Sequence, residues 1–153
     1  MKTVNCDSLG KSHKKLIAAA EAVMKTSYSP YSGFAVGAAL MTLRGRIVTG
    51  SNVENAAYGL TICAERAALV RANAMGERVF SSLAVVAGLR KGRHADRFGV
   101  TSPCGACRQM LHESAQNAGH DIEVILLSAD RKTVVLTSIS ELLPLGFGGK
   151  MKK

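Results

Sequence analysis

Ile122-Glu123-Val124-Ile125-Leu126-Leu127-Ser128-Ala129-Asp130-Arg131-Lys132-Thr133-Val134-Val135-Leu136-Thr137 holds two apolar runs parted only by Ser128–Lys132. Each run, Ile122–Leu127 and Thr133–Thr137, reads as a strand: short, rich in Val, Ile and Leu, and bounded by polar turn residues. Parallel neighbours need a crossover of about a dozen residues or more. The connection here is far shorter, so the two strands, if adjacent, are antiparallel.

Upstream of this pair, Pro103 suits the start of a helix, because the first helical turn leaves its N–H groups unpaired anyway. That helix runs to about Ala118 and stops near Gly119. Ser82–Ala87 reads as another strand, followed by a charged, glycine-containing loop over 88–101. Residues 62–75 are Ala-rich, end before Gly76 and read as a helix. Phe34–Leu43 and Ile47–Gly50 form a hairpin about Arg44-Gly45. Tyr28-Ser29-Pro30-Tyr31-Ser32-Gly33 reads as a loop. Residues 12–26 carry helical spacing, with Leu16, Ala20 and Val23 on one side. Downstream, Ser138-Ile139-Ser140-Glu141 has capping-box spacing ahead of a short helix. The expected fold is α/β: a three-layer α/β/α sandwich around a mixed five-stranded sheet whose last two strands are antiparallel.

With 153 residues, 47% of them hydrophobic and 20% charged, the chain reads as one domain, 1–153, with a core at about 12–148. The N-terminus MKTVNCDSLGK has no apolar run of signal-peptide length. Elsewhere apolar stretches are broken early, as by Glu21 within Leu16–Met24, so no membrane span is expected. The expectation is a soluble protein of the cytoplasm. Its four cysteines then sit in a reducing compartment, which favours metal ligation by Cys63, Cys104 and Cys107 over disulfides. Cys6 lies in a terminal segment and reads as a bystander thiol.

The formal net charge is +9, from 20 Lys and Arg against 11 Asp and Glu. The basic clusters are Lys11, Lys14 and Lys15; Arg90, Lys91, Arg93 and Arg97; and Lys150, Lys152 and Lys153. Such a balance permits weak attraction to nucleic acid or anionic ligands. No aromatic residues interleave with these clusters as they do in single-strand binding grooves, so they read as solvated faces and chain ends.

Cys63-Ala64-Glu65 and Pro103-Cys104-Gly105-Ala106-Cys107 carry the chemistry. Three thiolates leave tetrahedral zinc one position short, and a water can take that position. Cys63 and Cys104 each fall near a helix N-terminus, where exposed N–H groups and the helix dipole stabilise negative charge. Arg66, with Arg108, adds to this by drawing charge from the sulfurs. Glu65 is a non-ligand carboxylate beside the metal, suited to carry protons between an attacking water, a ring nitrogen and a departing amine. Two other readings compete. A structural zinc would need Cys6, His94, His112 or His120 as a fourth ligand, and a Cys-x-x-Cys at a helix start also fits a redox dithiol. The redox reading leaves Cys63-Ala64-Glu65 unexplained.

The spacing of these motifs matches that of zinc nucleobase deaminases. More widely, over about 12–148, the chain resembles the small single-domain cytidine deaminases of pyrimidine salvage. The resemblance is carried by Tyr31-Ser32-Gly33-Phe34-Ala35-Val36-Gly37-Ala38-Ala39-Leu40, by Asn52 through Arg66, by Ser102 through Gln109, and by Glu141-Leu142-Leu143-Pro144 with Phe147. It implies hydrolytic deamination of cytidine and 2′-deoxycytidine, one Zn2+ per chain on Cys63, Cys104 and Cys107, and proton transfer by Glu65. It further implies that Asn52 and Glu54 hold a ribose hydroxyl, that Phe34 packs on the pyrimidine, and that Ala64 offers backbone to the base edge. Arg66 would bond the cysteine sulfurs. It also implies a homotetramer whose active sites borrow residues from neighbouring subunits, with Tyr58 and Phe147 as the substrate-binding contacts that cross. Ser51 stands where many relatives carry another cysteine. Blasticidin-type deaminases lack the Asn-x-Glu-Asn element found at 52–55, so that element favours a nucleoside substrate. The alternatives are a deaminase acting on nucleoside analogues or RNA, and a noncatalytic zinc or redox protein.

Overall fold

The computed structural model describes residues 1–89 and 99–149. The cluster Arg90, Lys91, Arg93 and Arg97, the candidate ligand His94, and Lys150, Lys152 and Lys153 fall outside the described residues. The elements in chain order are β1 (Lys2–Asn5), α1 (Lys11–Met24), β2 (Phe34–Thr42), β3 (Ile47–Ser51), α2 (Ala64–Ala74), β4 (Phe80–Leu89), α3 (Gly105–Ala118), β5 (Glu123–Leu127), β6 (Thr133–Ser138) and α4 (Ile139–Leu142).

The sheet has six strands, not five, in the order β1-β6-β5-β4-β2-β3. The additional strand is β1, which pairs antiparallel with β6, Lys2 opposite Leu136 and Val4 opposite Val134. Four residues reading KTVN are too short and too polar to show a period of two, and their partner lies at the other end of the chain. What makes them a strand is the open edge of β6, a tertiary fact. Cys6, in that terminal segment, follows β1 in a single 3-10 turn and packs half-buried on the core.

β5 and β6 are antiparallel as their short connection requires, with Ile125 opposite Leu136. β4 and β5 are parallel, and α3 makes the crossover between them. Alternate residues of the central strands serve opposite faces. Ala39, Ala84, Val86, Ile125 and Leu127 meet Leu16, Ile17 and Ala20 of α1. Ala38, Leu40, Leu83, Val85, Val124 and Leu126 meet α2, α3 and α4 through Ala64, Ala68, Leu69, Leu111 and Ile139. Strands covered on both sides read as continuous apolar runs, which is why they stand out in the sequence.

Gly50 of β3 governs how near α2 comes to the sheet. A Cβ built there would lie 2.3 Å from the Ala68 N and 2.7 Å from the Ala64 O. Only glycine permits so close an approach. Pro103, expected to open α3, instead precedes its N-cap, Cys104, whose extended backbone (φ −67°, ψ 168°) delays the helix to Gly105. Ser138 caps α4 by accepting from the Glu141 N–H at 3.3 Å, the bond its spacing predicted. Among the described residues no helix is long and apolar enough to cross a membrane.

Candidate metal centre and active site

Cys63 is the N-cap of α2 and Cys104 the N-cap of α3, and neither helix start has a side-chain cap bond. Cys107 follows in the first turn of α3 and is fully buried. The three sulfurs lie within 4.8 Å of one another. Cys63 Sγ is 3.7 Å from Cys104 Sγ, which is 3.4 Å from Cys107 Sγ. Four sulfur-type ligands set tetrahedrally around zinc at about 2.3 Å stand about 3.8 Å apart, so this triangle needs little adjustment to close on the ion.

Electrostatics agree with geometry. The hydrogen bond from Cys107 holds the Cys63 thiol well below its usual range, against its own burial, with Cys104 and the Arg66 charge adding to the effect. Cys107, as donor to Cys63, is pushed up, and burial and the Glu65 charge push it further. A cluster that already stabilises one thiolate releases its remaining thiol protons when a cation binds. Arg66 donates to Thr61 O at 2.7 Å, while its buried Nε has no partner. An orphaned guanidinium N–H beside Cys63 is what a metal-bound thiolate there would satisfy. The donor set and this orphan both fit Zn2+.

Among the described residues no further His, Cys, Asp or Glu joins the three sulfurs. His112 sits elsewhere, its Nε2 buried without a partner under Gly146, where an added Cβ would come 2.6 Å from the ring. His120 is exposed, and Cys6 belongs to the α1 side of the sheet. With three protein donors one coordination position remains for solvent or substrate.

Glu65 lies in the first turn of α2, only 5% exposed. Burial holds its carboxyl above the usual carboxylate range, and the neighbouring Cys63 charge adds to this. Ala64, the first residue of α2, is fully buried, and Phe34, half-buried, packs against the core cluster that includes it. Asn52 and Glu54 are buried but not idle. Asn52 Nδ2 donates to Phe34 O at 2.9 Å and its Oδ1 accepts from the Val36 N–H at 2.8 Å. Glu54 Oε2 accepts from the Tyr31 and Ser32 N–H groups at 3.0 and 3.2 Å, and Oε1 accepts from the Ser32 hydroxyl. The Ser32 hydroxyl and these amides hold the Glu54 carboxyl below its usual range.

Tyr58 and Phe147 remain exposed, at 85% and 82%. Phe147 is held through its backbone: Gln109 donates to its O at 2.7 Å and accepts from its N–H at 3.2 Å. Sequence reasoning gives Arg108 a purely electrostatic part. Its guanidinium in fact donates to Pro103 O at 2.7 Å, Ser102 Oγ at 3.0 Å and Leu142 O at 3.0 Å, tying the loop ahead of Cys104 to α4. Ser32, Thr61 and Gly50 escape sequence reasoning altogether. Only Ser32 has a local signal, a hydroxyl two residues before an amide it can bond.

An α/β/α sandwich with three sulfurs at two converging helix starts, and a buried carboxylate beside them, defines a metal-dependent enzyme class rather than a redox dithiol. The sequence pattern of the cytidine and deoxycytidylate deaminase zinc-binding region matches residues 10–118. A probable cytidine deaminase of Dictyostelium discoideum is 44% identical over 131 residues, spanning 86% of this chain and 80% of that protein. A cytidine deaminase of Sporosarcina psychrophila is 42% identical over 134 residues, 88% of this chain and 90% of that one. The crystal structure of cytidine deaminase from Burkholderia pseudomallei superposes with a TM-score of 0.76 at 44% identity, covering 88% of this chain and 98% of that one. The chain belongs to the cytidine and deoxycytidylate deaminase family, whose cofactor is zinc.

Proposed function

We propose that the protein is a zinc-dependent cytidine deaminase, converting cytidine and 2′-deoxycytidine with water to uridine and 2′-deoxyuridine and releasing ammonia. The observation that carries this is the triangle of Cys63, Cys104 and Cys107 sulfurs, within 4.8 Å of one another, beside buried Glu65. Zinc, held by these sulfurs at one ion per chain, supplies Lewis acidity and brings the pKa of water toward about 7.

The remaining chemistry falls to side chains. Glu65, its proton affinity raised by burial, takes one proton from the attacking water and delivers it to the ring nitrogen. It then takes the second, from the hydroxyl now on the ring carbon, and delivers it to the amino group, which leaves as ammonia as the C–N bond breaks and the carbonyl forms. Arg66 and the two helix starts offset the negative charge of the sulfurs. Phe34 packs on the pyrimidine and the Ala64 backbone meets the base edge. Asn52 and Glu54 hold a sugar hydroxyl while Asn52 also bonds the start of β2 and Glu54 the loop ahead of it; the second N–H of Asn52 and the spare lone pairs of Glu54 leave room for both tasks. A site of this kind strongly rejects a substrate lacking the hydroxyl.

Tyr58 and Phe147, both exposed, are taken as contacts to neighbouring subunits of a homotetramer, and the reaction as a cytoplasmic step of pyrimidine salvage.

The test is the loss of cytidine absorbance with purified protein. Turnover should cease when a chelator removes zinc and return when zinc is restored, while free cytosine should be turned over far more slowly. Protein carrying one zinc per chain that deaminates neither nucleoside, or that treats cytosine and cytidine alike, would overturn the assignment.

A further inference from the structure

Ser32 stands at the centre of the loop that precedes β2. Its hydroxyl donates to Glu54 Oε1 and accepts from the Phe34 N–H at 2.9 Å. Its own N–H, with that of Tyr31, donates to Glu54 Oε2. The direction of this relay is fixed. A backbone amide can only donate, so the Ser32 oxygen receives from Phe34 and its single proton goes to Glu54. Gly33 makes the turn between them at φ +68°, a conformation side chains rarely adopt, and its N–H closes the loop on Ser29 O at 3.1 Å. The segment is pinned on its other side by the Tyr28 N–H donating to Asn52 O at 3.0 Å and the Glu54 N–H donating to Tyr28 O at 2.8 Å.

The consequence is chemical as well as structural. Three donors converge on one buried carboxylate and favour its ionised form, which can only accept. A substrate group arriving at Glu54 must therefore bring a proton of its own. The same hydroxyl sets the backbone of Phe34, the residue that starts β2 on the face where α2 begins. One exposed serine thus joins the sugar contact and the base contact of the proposed site.

We propose that Ser32 is a positioning and specificity residue: its hydroxyl fixes Glu54 as an acceptor for a donating sugar hydroxyl and holds Phe34 at the base, so that the site selects nucleosides over analogues unable to donate there. This rests on the nucleoside-deaminase reading and deepens it. It is tested by comparing wild type, Ser32→Ala and Ser32→Thr for cytidine turnover, zinc content, thermal melting, and calorimetric binding of uridine, which requires no catalysis.

Ser32→Ala removes a hydrogen bond to a charged group. KM for cytidine and the uridine dissociation constant should each rise about tenfold. kcat should stay within about threefold and zinc should remain at the wild-type level, as expected where ground-state and transition-state binding are lost equally. The preference for cytidine over an analogue methylated at that sugar hydroxyl should shrink, and Ser32→Thr should restore both constants. Wild-type constants in Ser32→Ala, a fall in kcat or zinc with KM unchanged, or failure of threonine to rescue would each overturn the proposal. A wild-type protein that does not deaminate cytidine would instead overturn the functional reading, whatever Ser32 does.

Discussion

Glu65 shows how one side chain acquires its properties from its surroundings. In the first turn of a solvent-exposed helix it would be an ordinary acid complementing the dipole. Buried here beside Cys63 and Cys107, it holds a proton more tightly than a free carboxyl, the property a shuttle between water, ring nitrogen and amine needs. Glu65→Ala should retain one zinc per chain while losing activity by about 10²–10⁴-fold, read from metal analysis alongside cytidine turnover. Full activity in that variant would end the shuttle assignment. Arg66 carries the complementary lesson. Its motif places it beside the sulfurs, and there one guanidinium N–H is spent on Thr61 O while the buried Nε is left for a metal-bound thiolate to satisfy. The resemblance assigns Asn52 and Glu54 to a sugar hydroxyl, but nothing in the sequence shows their bonds to Phe34, Val36, Tyr31 and Ser32. Those partners depend on how the loop folds back across β2 and β3.

At the scale of elements, α2 is fixed from both ends of its contact with β3. Gly50 lets the helix lie directly on the strand, and the side chains of Ala68 and Leu69 bury behind it. Gly50→Ala would force a Cβ to within 2.3 Å of the Ala68 N, so the helix must lift. The expected cost is about 1–3 kcal/mol of stability, seen as a lower melting temperature, together with weaker zinc retention because Cys63 moves with the helix start. A melting curve and zinc content matching wild type would show that the contact is less confining than the distances require. α3 is held differently. Arg108 braces the loop of Ser102 and Pro103 against Leu142 of α4, so the second helix start rests on a clamp rather than on close packing. Periodicity and caps locate most elements well, since α1, α2 and β2 shift by only a residue or two at their ends. The N-cap of α3 escapes because an extended Cys104 and a proline at the first helical position look alike in sequence.

For the whole molecule, Tyr58, Leu60, Leu145 and Phe147 are large apolar side chains left in water. The proposed homotetramer accounts for them, and sedimentation of the purified protein should give about four times the mass of one chain. A monomer at working concentration would refute it. Local residue patterns already carry the chemistry and the end of the topology: Cys63-Ala64-Glu65, Pro103-Cys104-Gly105-Ala106-Cys107, and a link between β5 and β6 too short for a parallel crossover. Each is written in neighbouring residues, where spacing and residue type suffice. Long-range packing is what makes β1 complete a six-stranded sheet, brings three sulfurs within 4.8 Å at two helix starts, and carries Ser32 to Glu54. These pairings join residues distant along the chain, and strand register and helix packing, not local preference, bring them together.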